Sequence, residues 1–133
     1  EKMLNRRTLV IALTATSMFA LAPVVLAADH IAYTRQAFEA AQKAGNPILV
    51  EITASWCPTC KAQKQVLGNL LPAAAYDKLV VFEVDFDSQK DVVRAFNAQM
   101  QSTLITFKGT REVGRLVGVT KADSIKQLLD TTI

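Results

Sequence analysis

Both cysteines of the chain lie in one short segment, Trp56-Cys57-Pro58-Thr59-Cys60, which constrains the fold more than any other feature. An apolar run over residues 48–54 precedes it, and residues 61–67 follow with the composition of a helix. Pro58 suits the first helical position, because the amide that proline lacks would be unpaired there anyway. The pattern predicts a strand, a short turn and a helix, with a dithiol where the helix begins. A Cys-X-X-Cys pair in that setting is typical of a redox motif.

The rest of the chain alternates between helical and strand patterns. The predicted helices cover Thr34 to Lys43, Pro58 to Leu70, Ser88 to Met100 and Lys121 to Thr131, and the predicted strands cover 48–54, 79–86, 103–107 and 112–117, with a short strand possible before the first helix. Strands that alternate with helices imply parallel crossovers, whereas the last two strands read as an antiparallel hairpin. We therefore predict an α/β fold with a central mixed sheet of four to five strands, flanked by helices on both faces.

The N-terminus has the pattern of a secretory signal peptide. Two arginines precede an uncharged, largely apolar stretch over residues 8–28, which ends in small residues. We predict a signal peptide over residues 1–27, with the two residues before Met3 as an upstream extension, and one folded domain over residues 28–133. The predicted location is the periplasm or another exported compartment. A retained membrane anchor is the alternative, because about 20 apolar residues can span a bilayer.

Length and charge narrow the class of protein further. A chain of 133 residues, half of them hydrophobic, is long enough for one domain with a packed core. The formal net charge is +3, and no basic run follows the leader, so we predict no nucleic acid partner. We expect a monomer.

The position of the two cysteines assigns a role to each. The unpaired amides at the start of a helix favour negative charge, so we expect them to stabilise a Cys57 thiolate. We predict that an exposed Cys57 attacks a partner disulfide, and that Cys60, shielded by the helix, then attacks Cys57 and releases the partner. Lys61 and Lys64 are interpreted as solvated helix surface, and the alternative is that they add positive potential at the dithiol.

A zinc site is the competing interpretation of the cysteine pair. Tetrahedral zinc needs two further cysteine or histidine ligands. The chain has no other cysteine, and its one histidine, His30, lies far away in the sequence. We therefore predict no metal site, although a metal shared between molecules stays open, and no cofactor beyond a Cys57–Cys60 disulfide.

The segment 46–61 resembles the active-site region of the thioredoxin family: an apolar strand, a buried acid and Trp-Cys-X-X-Cys-Lys. The resemblance continues through residues 84–87 and 103–109 and covers essentially residues 30–131. It implies a thioredoxin-like fold, with Cys57 as the nucleophile, Cys60 as the resolving cysteine and Trp56 packed beside the disulfide. The chain is also similar to exported thioredoxin-like domains that pass electrons in the bacterial periplasm.

The same resemblance has implications for two acidic residues, Glu51 and Glu83. Glu51 matches the buried acid of the family, and burial raises the pKa of a carboxyl group, which would let Glu51 relay a proton to or from Cys60. A partly exposed strand residue is the alternative. Glu83 stands where the family usually has a lysine. The alternation of residues 82–84 favours a Glu83 that points to solvent, and the alternative is a pair of facing carboxylates.

Ser102 is the largest departure from the family, which has a cis-proline at this position. A cis bond before a non-proline residue costs about 2.5–4 kcal/mol, so we predict a trans peptide and a changed loop opposite Cys57. In the family this loop helps to dock the substrate. The predicted substrate-binding residues are Trp56, Pro58, Thr59, Gln101, Ser102 and Thr103.

These observations predict an exported thiol–disulfide oxidoreductase that exchanges disulfides with protein partners. We favour the reducing direction, on the resemblance to electron-passing domains and on Glu51. Because an exported compartment is oxidising, the protein would then need a membrane or periplasmic thiol partner as electron donor or acceptor. The alternative, motivated by Ser102, is a binding module whose dithiol holds a metal or docks a partner without turnover.

Overall fold

The computed structural model describes Ala28 and residues 30–133. The predicted signal peptide over residues 1–27 lies outside these residues. Within the described part of the chain, no helix has the combined length and apolar character needed to cross a membrane.

A five-stranded mixed sheet forms the centre of the domain. Along the chain the elements are β1 (His30–Ala32), α1 (Arg35–Lys43), β2 (Pro47–Thr53), α2 (Pro58–Leu70), a 3-10 turn (Ala74–Tyr76), β3 (Val80–Asp85), α3 (Lys90–Ala95), β4 (Thr103–Lys108), β5 (Arg111–Val117) and α4 (Ala122–Asp130). The strand order is β1-β3-β2-β4-β5. The pairs β1–β3 and β2–β3 are parallel, and the pairs β2–β4 and β4–β5 are antiparallel. The predicted α/β fold, including the short first strand, is confirmed.

The two faces of the sheet carry separate cores, because side chains alternate along each strand. One core combines Ile48, Val50 and Ile52 of β2 with residues of α1 and α3. The other combines Leu49 with residues of α2 and α4, including Leu67 and Ile125. Odd-numbered residues of β2 therefore point towards the helix that carries the dithiol.

The third helix is much shorter than predicted. Its predicted start at Ser88 is wrong because the Asp85 carboxylate accepts hydrogen bonds from the backbone amides of Asp87 and Ser88, at 3.1 and 2.7 Å, and holds a turn there. Its predicted end at Met100 is wrong because Asn97 adopts a left-handed backbone with φ +52°. The segment after it is an irregular loop that leads to Ser102.

The parallel strands place the functional motif at one edge of the sheet. Strands β1, β3 and β2 run in the same direction, so their carboxyl ends meet at that edge. The turn over residues 54–57 leaves β2 there and leads directly into α2. Such an edge is where open α/β sheets usually bind ligands.

Candidate active site

Cys57 caps the N-terminus of α2. Its backbone is extended (φ −90°, ψ 111°), and its Sγ accepts a hydrogen bond from the backbone amide of Cys60 at 3.1 Å. Pro58 occupies the first turn, as the sequence predicts. This hydrogen bond holds the sulfur at the helix N-terminus, so the local fold supports Cys57 as the nucleophile.

Both cysteines are free thiols, and both are buried. Cys57 is 4% exposed and Cys60 is 3% exposed. The prediction of an exposed Cys57 is therefore wrong, because the capping geometry turns its sulfur towards the helix, where it packs near Ala54 and Phe86. Both thiols nevertheless line an open cleft of about 290 Å³, together with Thr53, Lys64 and Glu83 among others.

The environment of Cys60 favours the protonated thiol. Burial is the main cause that raises the pKa of Cys60, and the hydrogen bond with Cys57 raises it further. Hydrogen bonds with the backbone of Ala54 and the side chain of Thr53 oppose this shift. Cys60 therefore needs a proton acceptor before it attacks as a thiolate.

Glu51 is the buried acid that the sequence predicts. It lies in the middle of β2 and is 2% exposed, which excludes the alternative of a partly exposed strand residue. Burial raises the pKa of Glu51 to about 7; the nearby Lys64 lowers it and Glu83 raises it. A carboxyl group with such a pKa exchanges protons readily near neutral pH.

Glu83 lies on the same face of the sheet as Glu51. The two residues are directly paired in the β2–β3 register, so the carboxylates share a face, as in the alternative that the sequence left open, while Glu83 still reaches solvent as predicted. Alternation is preserved, but Phe82 and Val84 occupy the opposite face. The Glu83 side chain remains 41% exposed, and its Oε2 lies 3.0 Å from the Lys64 Nζ.

Lys64 adds positive charge to the site, which is the alternative that the sequence left open. Its side chain is exposed, as predicted for helix surface, and it also pairs with Glu83 and lines the cleft of the two cysteines. The signal was its position four residues after Cys60, one helical turn further along the same face of α2. The helix thus supplies positive charge next to two carboxylates.

His30 also lies next to Glu51, although the two residues are far apart in the sequence. Its Nδ1 is 3.6 Å from the Glu51 Oε2, and its side chain is 49% exposed. One donor atom from each of His30, Glu51 and Glu83 lies within 4.8 Å of the others. The parallel pairing of β1 with β3 produces this arrangement, so these residues offer donor atoms for a metal ion.

The exposed side of the dithiol motif is formed by Trp56, Pro58 and Thr59. Trp56 is 58% exposed, and its Nε1 donates a hydrogen bond to the Asp87 Oδ2 at 2.7 Å. Pro58 is exposed and Thr59 is half-buried. The indole is thus held in place while its ring surface stays accessible to a partner.

The Ser102 loop is fixed to the dithiol helix by Gln63. The peptide bond before Ser102 is trans, as predicted, and Ser102 has a left-handed φ of +58°. The Gln63 Nε2 donates to the carbonyl oxygens of Ser102 and Val119, at 3.0 and 2.9 Å. Ser102 and Thr103 are buried, whereas Gln101 is half-buried. Gln63 was missed, although a polar residue on the buried face of α2 is a signal that sequence offers.

Comparisons with a family sequence model, with individual proteins and with a solved structure all point to the same family. The sequence model of the family described as Thioredoxin matches residues 29–131. Thioredoxin from Alicyclobacillus acidocaldarius is 33% identical over 94 residues, which cover 70% of this chain and 89% of that protein. Thioredoxin from Mycobacterium tuberculosis is 36% identical over 85 residues, which cover 63% and 72%. The crystal structure of Trxlp from Edwardsiella tarda superposes with a TM-score of 0.74 at 39% identity, covering 76% of this chain and 98% of Trxlp.

Proposed function

The chain belongs to the thioredoxin family of thiol–disulfide oxidoreductases, and from this premise we propose that it is exported and reduces disulfides in protein partners. The observation that carries the proposal is the Cys57 sulfur at the N-terminus of α2, paired with the Cys60 amide beside an open cleft. Family membership favours turnover over the alternative of a module that only holds a metal or docks a partner.

In the first step the Cys57 thiolate attacks one sulfur of the partner disulfide. A bond forms between Cys57 and that sulfur, the partner S–S bond breaks, and the other partner sulfur leaves as a thiolate that takes up a proton. The exposed Trp56 offers an apolar surface beside the mixed disulfide. Pro58, Thr59 and Gln101 are the other accessible residues of the predicted docking surface.

In the second step Cys60 resolves the mixed disulfide. Cys60 loses its proton and attacks the Cys57 sulfur, the Cys57–Cys60 bond forms, and the partner leaves with both electrons as a thiolate that is then protonated. We place Glu51 as the acceptor of the Cys60 proton. Thr53 lies two residues after Glu51 on the same face of β2 and lines the cleft with Cys60, which places this part of the strand between the two groups.

We support the reducing direction with the environment of Cys60. An oxidising member of this class owes its high potential to a stabilised reduced form. Here burial raises the pKa of the Cys60 thiol, so a second thiolate does little to stabilise the reduced form of the cysteine pair. The oxidised product must be reduced again by a thiol donor, which for an exported protein is a membrane or periplasmic partner.

An insulin reduction assay tests the activity. We expect the wild type to catalyse disulfide reduction in the presence of a dithiol reductant, and Cys57→Ser to abolish catalysis. The matched variant Cys60→Ser retains the nucleophile, so it should accumulate a mixed disulfide that mass spectrometry detects. Equal rates for the wild type and Cys57→Ser would contradict the proposal.

Export is tested separately, by fractionation of expressing bacterial cells and N-terminal sequencing. A periplasmic protein that begins near Ala28 supports the cleaved leader. A protein that stays in the membrane fraction with its N-terminus intact supports the membrane-anchored alternative.

A further inference from the structure

The face of the sheet that points towards the dithiol helix carries a second set of polar side chains. His30, Glu51 and Glu83 come from three neighbouring strands, β1, β2 and β3, and point to the same face. Their donor atoms, one imidazole nitrogen and two carboxylate oxygens, all lie within 4.8 Å of one another. Neither cysteine belongs to this group.

Glu51 supplies the observation that points to a ligand. Among the described residues, its Oε2 is the one buried side-chain oxygen or nitrogen without a hydrogen-bond partner. The His30 Nδ1 is the nearby polar atom, but at 3.6 Å it is too distant for a hydrogen bond. A buried carboxylate oxygen without a partner is energetically costly, so this atom is prepared to accept a positive group from the side of His30.

The donor set matches the preferences of Zn²⁺. Zinc binds imidazole nitrogen and carboxylate oxygen at about 2.0–2.2 Å, and sites with three protein ligands leave one position for water. The donor atoms must therefore approach each other on binding. Glu51 is fixed in the sheet, whereas the half-exposed side chains of His30 and Glu83 have room to move.

An open path leads to this position from solvent. His30 and Glu83 line a cleft of about 320 Å³ at the β1 side of the sheet, together with Ala32 and Asp85. Glu83 and Asp85 also line the cleft of the two cysteines. An ion from solvent therefore meets His30 and Glu83 first, and the Glu51 carboxylate lies behind them.

We propose that His30, Glu51 and Glu83 bind one Zn²⁺ ion on the face of the sheet next to the dithiol. This site uses neither thiol, but it shares Glu51 with the proton transfer proposed above. Lys64 is its internal competitor, since the Lys64 ammonium group already lies 3.0 Å from the Glu83 carboxylate. Zinc must displace that contact or use the other Glu83 oxygen, so removal of the Lys64 charge should strengthen binding.

Isothermal titration calorimetry with Zn²⁺ tests the site on the full chain in its oxidised form, where the Cys57–Cys60 disulfide offers no thiolate. We expect one equivalent of zinc, and affinity at least about 10-fold weaker in His30→Asn and in Glu51→Gln. Lys64→Met should bind more tightly. Glu39→Gln removes an exposed carboxylate from α1, on the opposite face of the sheet, and serves as the control that leaves affinity unchanged.

In this titration, the proposal is overturned by no saturable binding to the oxidised wild type, or by unchanged affinity in both His30→Asn and Glu51→Gln. Circular dichroism shows whether each variant is folded, and His30→Asn is a change at a half-exposed strand end that leaves both cores intact.

A second experiment uses Co²⁺ and the double variant Cys57→Ser/Cys60→Ser. We expect ligand-field absorption without the charge-transfer band of a cobalt–thiolate bond. Binding that requires the reduced cysteines and ignores His30 would instead assign the metal to the dithiol and overturn this site. Because the double variant has no redox activity, failure of the zinc site and failure of the oxidoreductase function are distinguished.

Discussion

The two faces of the sheet differ in what their side chains do. The face covered by α1 and α3 is packed with aromatic rings, and Phe38 alone lies 5.3–5.6 Å, centroid to centroid, from four of them. The face covered by α2 and α4 also has an apolar core, but near the dithiol it carries Glu51, Gln63 and Thr53, all buried.

This difference separates stability from function along a single strand. Ile48, Val50 and Ile52 of β2 face the aromatic core, while Glu51 and Thr53 face the dithiol helix. Burial of a carboxyl group opposes folding, so the apolar face must supply stability that offsets the cost of the functional face. Substitutions on the two faces should therefore have separable effects.

The largest expected effect is on the aromatic face. Phe38→Ala removes the ring that contacts four others, and we expect the free energy of unfolding to fall by about 3–5 kcal/mol. Urea denaturation measures this change, and Glu39→Ala, at the neighbouring exposed position, is the control. Because Phe38 lies on the face away from the dithiol, the specific activity of the folded fraction should be unchanged. A loss of activity beyond the unfolded fraction would show that the two faces are coupled.

The second effect concerns Glu51 on the functional face. The pKa of Glu51 is raised from 4.5 to about 7 in the folded protein, so the folded state holds a proton that the unfolded state releases earlier. The contribution of Glu51 to the free energy of unfolding is therefore greatest below pH 4.5. It decreases by roughly 3 kcal/mol as the pH rises to 7. Glu51→Gln should lose this dependence.

Urea denaturation at pH 5 and pH 8, with a metal chelator present, measures the effect. We expect Glu51→Gln to be more stable than the wild type at pH 8, while its resolving step becomes slower because the proton acceptor is gone. A wild type and variant with parallel pH dependence would show that Glu51 does not titrate in this range.

The site shows why sequence predicted some residues and not others. The strand–turn–helix pattern around Cys57 and the acid within an apolar strand are local, so the N-cap cysteine and the buried Glu51 followed from sequence. The cluster of His30, Glu83 and Lys64 depends on the register between β1, β3 and β2 and on how α2 lies across them. Long-range register has no local signal in one sequence.

Local hydrogen bonding explains the other errors. Cys57 was expected to be exposed, as a nucleophile at a turn, but its sulfur turns inward to accept the Cys60 amide. The helix predicted from Ser88 begins two residues later because the Asp85 carboxylate binds the backbone amides of Asp87 and Ser88. Such side-chain contacts compete with regular structure in ways that periodicity does not reveal.

The third effect is at Gln63, which joins the dithiol helix to the Ser102 loop. Gln63→Leu keeps the volume but removes both donated hydrogen bonds, including the one to the part-buried carbonyl of Val119, at a cost of about 0.5–1.5 kcal/mol for each bond. The Ser102 carbonyl still accepts a bond from the Gly118 amide. We therefore expect a looser loop, a raised KM for a disulfide substrate and little change in kcat.

Steady-state kinetics separates these two parameters, and Gln65→Leu, two residues further along α2 at an exposed position, is the control. A decrease in kcat at constant KM would show that Gln63 acts on the chemical step instead of the docking loop.

The smallest effect on stability is expected at Lys64. Its contact with Glu83 joins two half-exposed side chains, and such pairs contribute about 0–1 kcal/mol, so Lys64→Met should barely change the free energy of unfolding.

The effect of Lys64→Met on protonation is larger. Lys64 lowers the pKa of Glu51, and its removal leaves burial and Glu83, both of which raise that pKa. The pH at which Glu51 ionises, followed by infrared absorption of its carboxyl group, should therefore move upwards in Lys64→Met. Lys61→Met, at an exposed position on the same helix, is the matched control. An unchanged midpoint would mean that water in the cleft screens the ammonium group from Glu51, so that burial alone determines the pKa of Glu51 on this face of the sheet.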